Sequence, residues 1–409
     1  MNETIRQARQ VALDILKPSQ KDLEHGLELH KNSLVFESYG FSPSAAIDGD
    51  RAAEVINAGA SDAEIDDMFE DMMMTRKATD PVEREEVLMA WDEAGVDCIF
   101  QNAGQEHDDP LTIMKRLARF TYAADLLRDR APRCAAPDEI VQAWKEGKHS
   151  FYFSSNGVPL LYHWVSKPDE MRYIRLFFQL GIRMMHITYN RRNLIGDGCG
   201  EAANGGLSDF GRDVIKEMNR VGVIVDVAHS GHKTSLEAAQ VSDRPMVSSH
   251  SGAHALSGHF RCKTDEILKA IAATGGYCGV CCIPRFLGGS GDISAFLDHI
   301  MYMVKLVGAE SVAIGTDVGY QSSNAEAEYK KLPQRPKRRE PWRSLWPGTD
   351  WEDRKWTTPQ QRLSMAWTNW PLFTVGMVQR GLSDTQIQQI LGLNCLRVAK
   401  ANWDGRKEF

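Results

Sequence analysis

Three residues stand at places where a chain of alternating strands and helices would do chemistry: His229, His250 and Asp317. The segment Val221–His250, VGVIVDVAHSGHKTSLEAAQVSDRPMVSSH, holds two short apolar runs, Val223–Val227 and Pro245–Ser248, joined by the helical Lys233–Val241. Each run ends just before a histidine. Apolar runs of this length with a helical crossover read as a β-α-β unit, in which the reactive groups gather at the carboxyl ends of parallel strands. One histidine at a strand end is usually a cap or a loop hydrogen bond. Two at matched ends can share a pocket, and Asp317 follows a third run, Ser311–Gly315. Two imidazoles and a carboxylate converging in this way form a recognised type of divalent-metal site, suited to zinc, iron or nickel. Asp317 could also accept a proton from metal-bound water. His232, His254 and His259 fall in the following loops and helices, and the pattern gives them no ligand position.

The elements that position these groups can be read along the chain. Strand-like runs occur at Ser33–Ser38, Val96–Gln101, His149–Ser154, Ile182–Ile187, Val223–Val227, Pro245–Ser248, Gly276–Cys281 and Ser311–Gly315, with helical patterns between them. Eight alternating units predict an α/β fold, a (β/α)8 TIM-type barrel. A doubly wound open sheet is the rival, though no G-x-G-x-x-G follows any strand. Reading the strand ends in order gives Glu37/Tyr39, Gln101, Asn156, Tyr189, His229, His250 and Asp317 as the residues facing a common mouth.

The predicted organisation is N-terminal leader helices over 1–31, the barrel over 32–320, an insertion over 321–358, and C-terminal helices completing the barrel over 359–409. The insertion carries four prolines, the tryptophans Trp342, Trp346, Trp351 and Trp356, and the basic run Lys337-Arg338-Arg339. Leaving the barrel after strand eight, it starts on the reactive face and reads as a lid or a subunit contact.

Composition narrows the function classes. The 409 residues carry a formal net charge of −7, with 43% hydrophobic and 25% charged residues, which is ordinary for a globular protein and offers no basic surface for nucleic acid. No apolar run approaches the ~20 residues needed to cross a bilayer. The N-terminus reads as an amphipathic helix, not a signal peptide. The eight cysteines form neither a disulfide framework nor a paired C-x-x-C zinc site, so a cytoplasmic, reducing location is expected. A small, anionic substrate and a homo-oligomeric state are the expected partners.

The segment PMVSSHSGAHAL, with His250 inside it and Arg261 after it, resembles the membrane (renal) dipeptidase family of metallopeptidases in the amidohydrolase superfamily. GLSDFGRDVIKEMNRVGVIVDVAHS (206–230), VGAESVAIGTD (307–317) and GLSDTQIQQILGLNCLRV (381–398) are similar to that family's segments too. The resemblance runs from about Leu29 to the end of the chain. It implies a two-zinc site: a His-x-Asp pair on strand one, a bridging Glu on strand three, histidines on strands five and six, and an Asp on strand eight. A strand-four His and an Arg after strand six would contact substrate. His229, His250, Asp317 and Arg261 match. Where the His-x-Asp pair should stand the chain has Tyr39 and Phe41, or in another register Asp50 and Ala52. Asn156 replaces the bridging Glu, and Tyr189 the strand-four His.

Phe cannot bind zinc, and neutral Asn is a poor bridge between two dications ~3.5–4 Å apart. The expectation is therefore at most one divalent ion, zinc first, on His229 and His250 with Asp317. The chain would then be a dipeptidase-like hydrolase of an amide or related bond in a small carboxylate-bearing molecule. Arg261 and Tyr189 would bind substrate, while Asp317, Tyr189 and Asn156 would act on the reacting bond. Two alternatives stay open: a metal-free isomerase or lyase using the same pocket, and a non-catalytic member of the fold.

Overall fold

A computed structural model of the chain describes residues 1–104, 109–336, 341–348 and 353–407. The basic run Lys337-Arg338-Arg339 and Trp351 lie outside the described residues.

The eight strands form one parallel sheet in sequence order: β1 (Phe36–Gly40), β2 (Cys98–Asn102), β3 (Ser150–Ser155), β4 (Ile182–His186), β5 (Ile224–Asp226), β6 (Val247–Ser251), β7 (Tyr277–Val280) and β8 (Val312–Ile314). The sheet curls until its ends meet: the Asp317 N–H donates to the Tyr39 carbonyl at 3.3 Å, and Thr316 binds the Glu37 carboxyl. The molecule is the (β/α)8 barrel that the alternating pattern predicts. Each predicted strand is present, with bounds displaced by a few residues.

Strand parity builds the interior. Phe36, Phe100, Tyr152, Met184, Ile224, Val247, Tyr277 and Ala313 belong to one buried cluster, and Phe36 stacks on Phe100 with ring centres 4.9 Å apart. Their neighbours Val35, Ile99, Phe151, Met185, Val225 and Ile314 belong to the other large cluster, with the helices. Side chains two residues along a strand return to the same face. The next inward layer is therefore Ser38, Ser154, His186 and Asp226, and it is polar. Where β7 and β8 pass the Ser249 carbonyl there is no room for a side chain, which explains Gly279 and Gly315.

The helices are cut where their caps fall. Ser208 accepts from the Gly211 N–H to open the helix Asp209–Val221, and Gly222, at φ 93°, closes it and turns the chain into β5. That helix buries Val214, Ile215, Met218 and Val221 against the barrel, each worth roughly 1.5–3 kcal/mol if fully removed from water. The leader helices Glu3–Leu16 and Gln20–Lys31 are followed by the barrel, and Gln20–Lys31 packs on the C-terminal helix Trp370–Gln379. Asn394, on the last helix, donates to the carbonyls of Ala309 and Val312 at 2.7 and 2.8 Å, fixing the approach to β8.

Candidate active site

The loop after β5 carries His229 and the end of β6 carries His250. Their Nε2 atoms lie 3.0 Å apart, and both rings are buried. Each Nδ1 is held by an oxygen: Asn190 Oδ1 at 2.8 Å from His229, and Ser249 Oγ at 2.8 Å from His250. Burial, and after it the charge of Arg261, pushes both imidazoles well below their ordinary pKa, so they are neutral at pH 7. At 3.0 Å the two Nε2 atoms are within hydrogen-bond distance, one ring donating to the other.

Aromatic rings clamp the pair. Tyr189 stacks on His229 at 4.1 Å between ring centres, and Tyr39 stacks on His250 at 3.9 Å. The Tyr39 hydroxyl donates to Asn156 Oδ1 at 2.7 Å, so Asn156 joins the site through Tyr39. Burial holds the Tyr39 phenol well above its usual pKa, and it stays neutral.

Arg261 is fully buried against the same pair. Its guanidinium donates to the Ala228 carbonyl and lies 3.2 Å from His229 Nε2 and 3.4 Å from the His250 carbonyl. Lys263 braces the loop from below, donating to Val227 O at 2.6 Å and Ser230 O at 2.9 Å, and burial lowers its pKa to about 8. Asp317 sits half-buried just beyond β8 with φ 60°, a left-handed conformation uncommon outside glycine, though Asp is among the side chains that tolerate it. Its backbone N–H donates to the Tyr39 carbonyl at 3.3 Å, which sets it beside the end of β1.

The strand-end residues thus fall into a connected arc: Tyr189, His229, His250, Tyr39 and Asn156, with Arg261 against the histidines and Asp317 against β1. Gln101 stands apart, its side chain taken up by Ser42 N–H and the Asn102 carbonyl. Two other carboxylates that could have replaced the lost ligands are engaged elsewhere. Glu37 is bound by Thr316 and by the Trp367 indole at 2.8 Å, and Asp50 is an exposed partner of Lys331.

Sequence reasoning passed over two residues of the inner layer. His186 ends β4 and Asp226 ends β5, both at 0% exposure, with His186 Nε2 2.8 Å from Asp226 Oδ2. The signal was available in the parity of β4 and β5, since each lies two residues beyond an inward apolar side chain. It was masked by reading strand ends alone. Asn190, which orients His229, was equally unmarked.

The insertion returns over this mouth. Trp346 stacks on Phe286 at 5.8 Å and meets Phe260 and Tyr189 edge-on at 6.0 and 6.5 Å. Arg191 reaches the carbonyls of Ser344 and Trp346 at 3.4 Å, and Arg285 lies over the Trp346 ring. A cavity of about 240 Å³ opens beside the mouth, walled by Cys199, Ser230, His232, Phe260 and Lys263 among others. Larger grooves, of about 540 and 370 Å³, lie outside on the helix Lys167–Gln179, away from the strand ends.

Two ligands of one tetrahedral zinc ion at ~2.0–2.1 Å would stand roughly 3.3 Å apart, near the His229–His250 separation. The neutral rings with oxygen-held Nδ1 atoms also suit metal. The rest of a two-ion set does not fit: Tyr39 and Phe41 are packed edge to face at 5.8 Å, and the neutral Asn156 amide is bonded to a phenol. Arg261 adds a fixed positive charge on His229 Nε2.

Fold and site together define a (β/α)8 barrel with a histidine cluster at the carboxyl-end mouth. The family model described as membrane dipeptidase (Peptidase family M19) matches residues 65–334, more than half of the chain, and the protein belongs to that family. Dipeptidase tcpJ of Claviceps purpurea is 25% identical over 281 residues, which cover 68% of this chain and 56% of that relative. The chain therefore spans little more than half the length of that curated relative. Among solved structures, an amidohydrolase from Pseudomonas aeruginosa superposes with a TM-score of 0.64 at 24% identity, covering 93% of this chain and 99% of that one. A metallo peptidase from Rhodobacter sphaeroides, liganded with a phosphinate mimic of the dipeptide L-Ala-D-Ala, gives 0.63 at 17% identity over 91% and 100%. At these identities the likeness is one of fold. No described helix is long and apolar enough to cross a membrane.

Proposed function

We propose that the protein is a dipeptidase-type hydrolase of an amide or related bond in a small, carboxylate-bearing molecule, working with at most one divalent ion per chain, zinc the first candidate. The observation that carries this reading is the pair of neutral imidazoles with Nε2 atoms 3.0 Å apart beside a buried guanidinium at the strand ends of a family M19 barrel. The dipeptidase name of the Claviceps relative and the dipeptide mimic in the Rhodobacter protein support the substrate class.

In this reading Arg261 is the cation that meets the substrate carboxylate, as a planar fork does best. Asn156, its Oδ1 taken by Tyr39, presents its amide N–H to the scissile carbonyl oxygen, and the Tyr189 hydroxyl is a second donor for that oxygen. Asp317 takes the proton of the attacking water and returns it to the leaving nitrogen as the C–N bond breaks. A bound divalent ion supplies Lewis acidity and lowers the pKa of water. The ligand set expected from the sequence is His229 and His250 with Asp317. The segment 321–358 acts as a lid, through Trp346, in a cytoplasmic homo-oligomer whose eight free thiols suit a reducing compartment.

A second reading, metal-free proton transfer by His229, His250 and Asp317 in an isomerase or lyase, is favoured by the Arg261 contact on His229. Elemental analysis of protein purified without added metal, together with amino-acid release from a panel of small dipeptides with and without chelator, separates the two. Hydrolysis that a chelator stops supports the first; a metal-free protein that hydrolyses no amide removes it.

A further inference from the structure

Below the His229–His250 pair, the inner polar layer holds an arrangement that the family resemblance does not supply. His186 from β4, Asp226 from β5 and His250 from β6 each offer one ligand atom, and these atoms lie within 4.8 Å of one another, all three side chains being buried. Asp226 Oδ1 is occupied by the N–H groups of Ala228 at 2.9 Å and Ser249 at 3.1 Å. Its Oδ2 points to the other members and makes no aligned hydrogen bond. Both ring nitrogens of His186 are in the same condition, although Nε2 stands 2.8 Å from that oxygen. Buried polar atoms are almost always paired; here Asp226 Oδ2 and His186 Nε2 have only their unaligned contact with one another, and His186 Nδ1 has no hydrogen bond.

We propose that the chain binds its single divalent ion here, on His186, Asp226 and His250, one layer deeper than the strand-end site. The inference rests on the one-ion hydrolase reading and specifies its ligands. Two imidazoles and one carboxylate are a complete protein set for zinc or ferrous iron with positions left open. Among the described residues, His229, His250 and Asp317 do not come together as such a three-ligand group, and Arg261 stands against His229 Nε2. Asp226 supplies the carboxylate, its Oδ1 fixed by the Ala228 and Ser249 N–H groups so that Oδ2 is turned to His186. The ring of Tyr39, stacked at 3.9 Å on His250 and at 5.3 Å on His186, closes the layer on the β1 side. The chain has thus lost a histidine at the start of the barrel and carries one on β4.

The test is metal binding by the full chain, titrated with zinc and with cobalt(II), whose visible spectrum reports the donor set. His186→Gln and Asp226→Asn are expected to weaken binding by more than about 100-fold, beyond the loss of an outer partner, while His229→Gln changes it by less than about 10-fold. Should the two buried variants fail to fold, anomalous scattering from cobalt-loaded crystals of the unaltered protein decides, with the ion expected within bonding distance of the Asp226 carboxylate. An ion that survives His186→Gln and Asp226→Asn but is lost in His229→Gln, or that diffracts between His229 and His250, overturns the deep site and leaves the one-ion reading standing. A folded protein that takes up neither metal overturns both.

Discussion

The mouth of the barrel has two unlike arcs. Over β5 and β6 stand His229, His250 and Arg261, polar groups locked to one another and to backbone carbonyls. Over β1 and β3 stand Tyr39, Phe41 and Asn156, two packed rings and a neutral amide. The first arc offers lone pairs and charge; the second offers surface and a single hydrogen bond. In the one-ion reading, a second metal ion would need anions where Tyr39, Phe41 and Asn156 offer none, and that reading places the burden of catalysis on β5, β6 and β8. The aromatic arc still contributes, because Tyr39 is at once the platform for His250 and the group that orients Asn156.

The largest effect should come from cutting the polar arc at its shared member. His250 touches His229, Tyr39 and Ser249 and belongs to both candidate ligand sets. His250→Ala is expected to abolish metal uptake and lower kcat/KM by about 10²–10⁴-fold, the range for losing a positioned acid–base or metal-holding group. Steady-state kinetics beside elemental analysis check it; retention of both would remove the pair from the chemistry.

Arg261→Lys comes next. Lysine keeps the charge but loses the fork that spans Ala228 O, His229 Nε2 and His250 O. Losing a charge-assisted hydrogen bond costs about 1.5–3 kcal/mol, roughly 10–100-fold in kcat/KM. A role in holding the carboxylate appears chiefly in KM, and a role in fixing His229 chiefly in kcat. An esterified substrate, lacking the carboxylate, should lose the KM part only.

Asn156→Glu tries to make the second arc resemble the first. An added anion beside Tyr39 and His250 should tighten divalent-metal binding by roughly tenfold, about 1.4 kcal/mol, since a charged acceptor is worth more than a neutral one. Titration calorimetry reads the change. Two bound equivalents in this variant would show that Asn156 alone held the count at one; no tightening would mean that the aromatic arc excludes an ion by its shape.

How much of this the residues disclosed follows from where each signal lives. Strand order was legible because eight apolar runs alternate with amphipathic helices, and only one closed topology suits that rhythm. His229 and His250 were legible because each follows a run that fixes its position in the mouth. His186 and Asp226 were not singled out, since inside a strand a polar residue is informative only once the inward parity is known. Parity becomes fixed when Met184 and Ile224 are seen to face Phe36 and Tyr277 in the lumen. Tyr39 was visible as a departure from the family's pattern, but its stacking on His250 depends on the barrel closing between β8 and β1. The path of Trp346 back to Tyr189 depends on the contacts of Arg191 and Arg285, distant in sequence, so composition alone left lid and subunit contact level.

The smallest effect on turnover should come from Glu37, at the seam beneath the aromatic arc. Burial pushes this carboxyl up to about 8, against the Thr316 and Trp367 donors that favour its charged form, and Asp317 adds to the rise. An unfolded chain releases the same proton near the ordinary value of about 4.5. Between these values the native state holds more protons than the unfolded one, so this contribution to stability is complete below about pH 4.5 and is lost as pH rises through about 8. The slope can reach at most about 1.4 kcal/mol per pH unit. Glu37→Gln keeps an amide oxygen for the Trp367 indole and carries no titrating proton, so it should flatten that slope while changing kcat/KM by less than about twofold, within the scatter of a substitution away from the reacting groups. Urea midpoints at pH 5.5 and pH 8.5 make the comparison. If the unaltered protein and Glu37→Gln lose stability in parallel across that interval, Glu37 is ionised in the native barrel, and the β1–β8 seam holds an anion close to Asp317 after all.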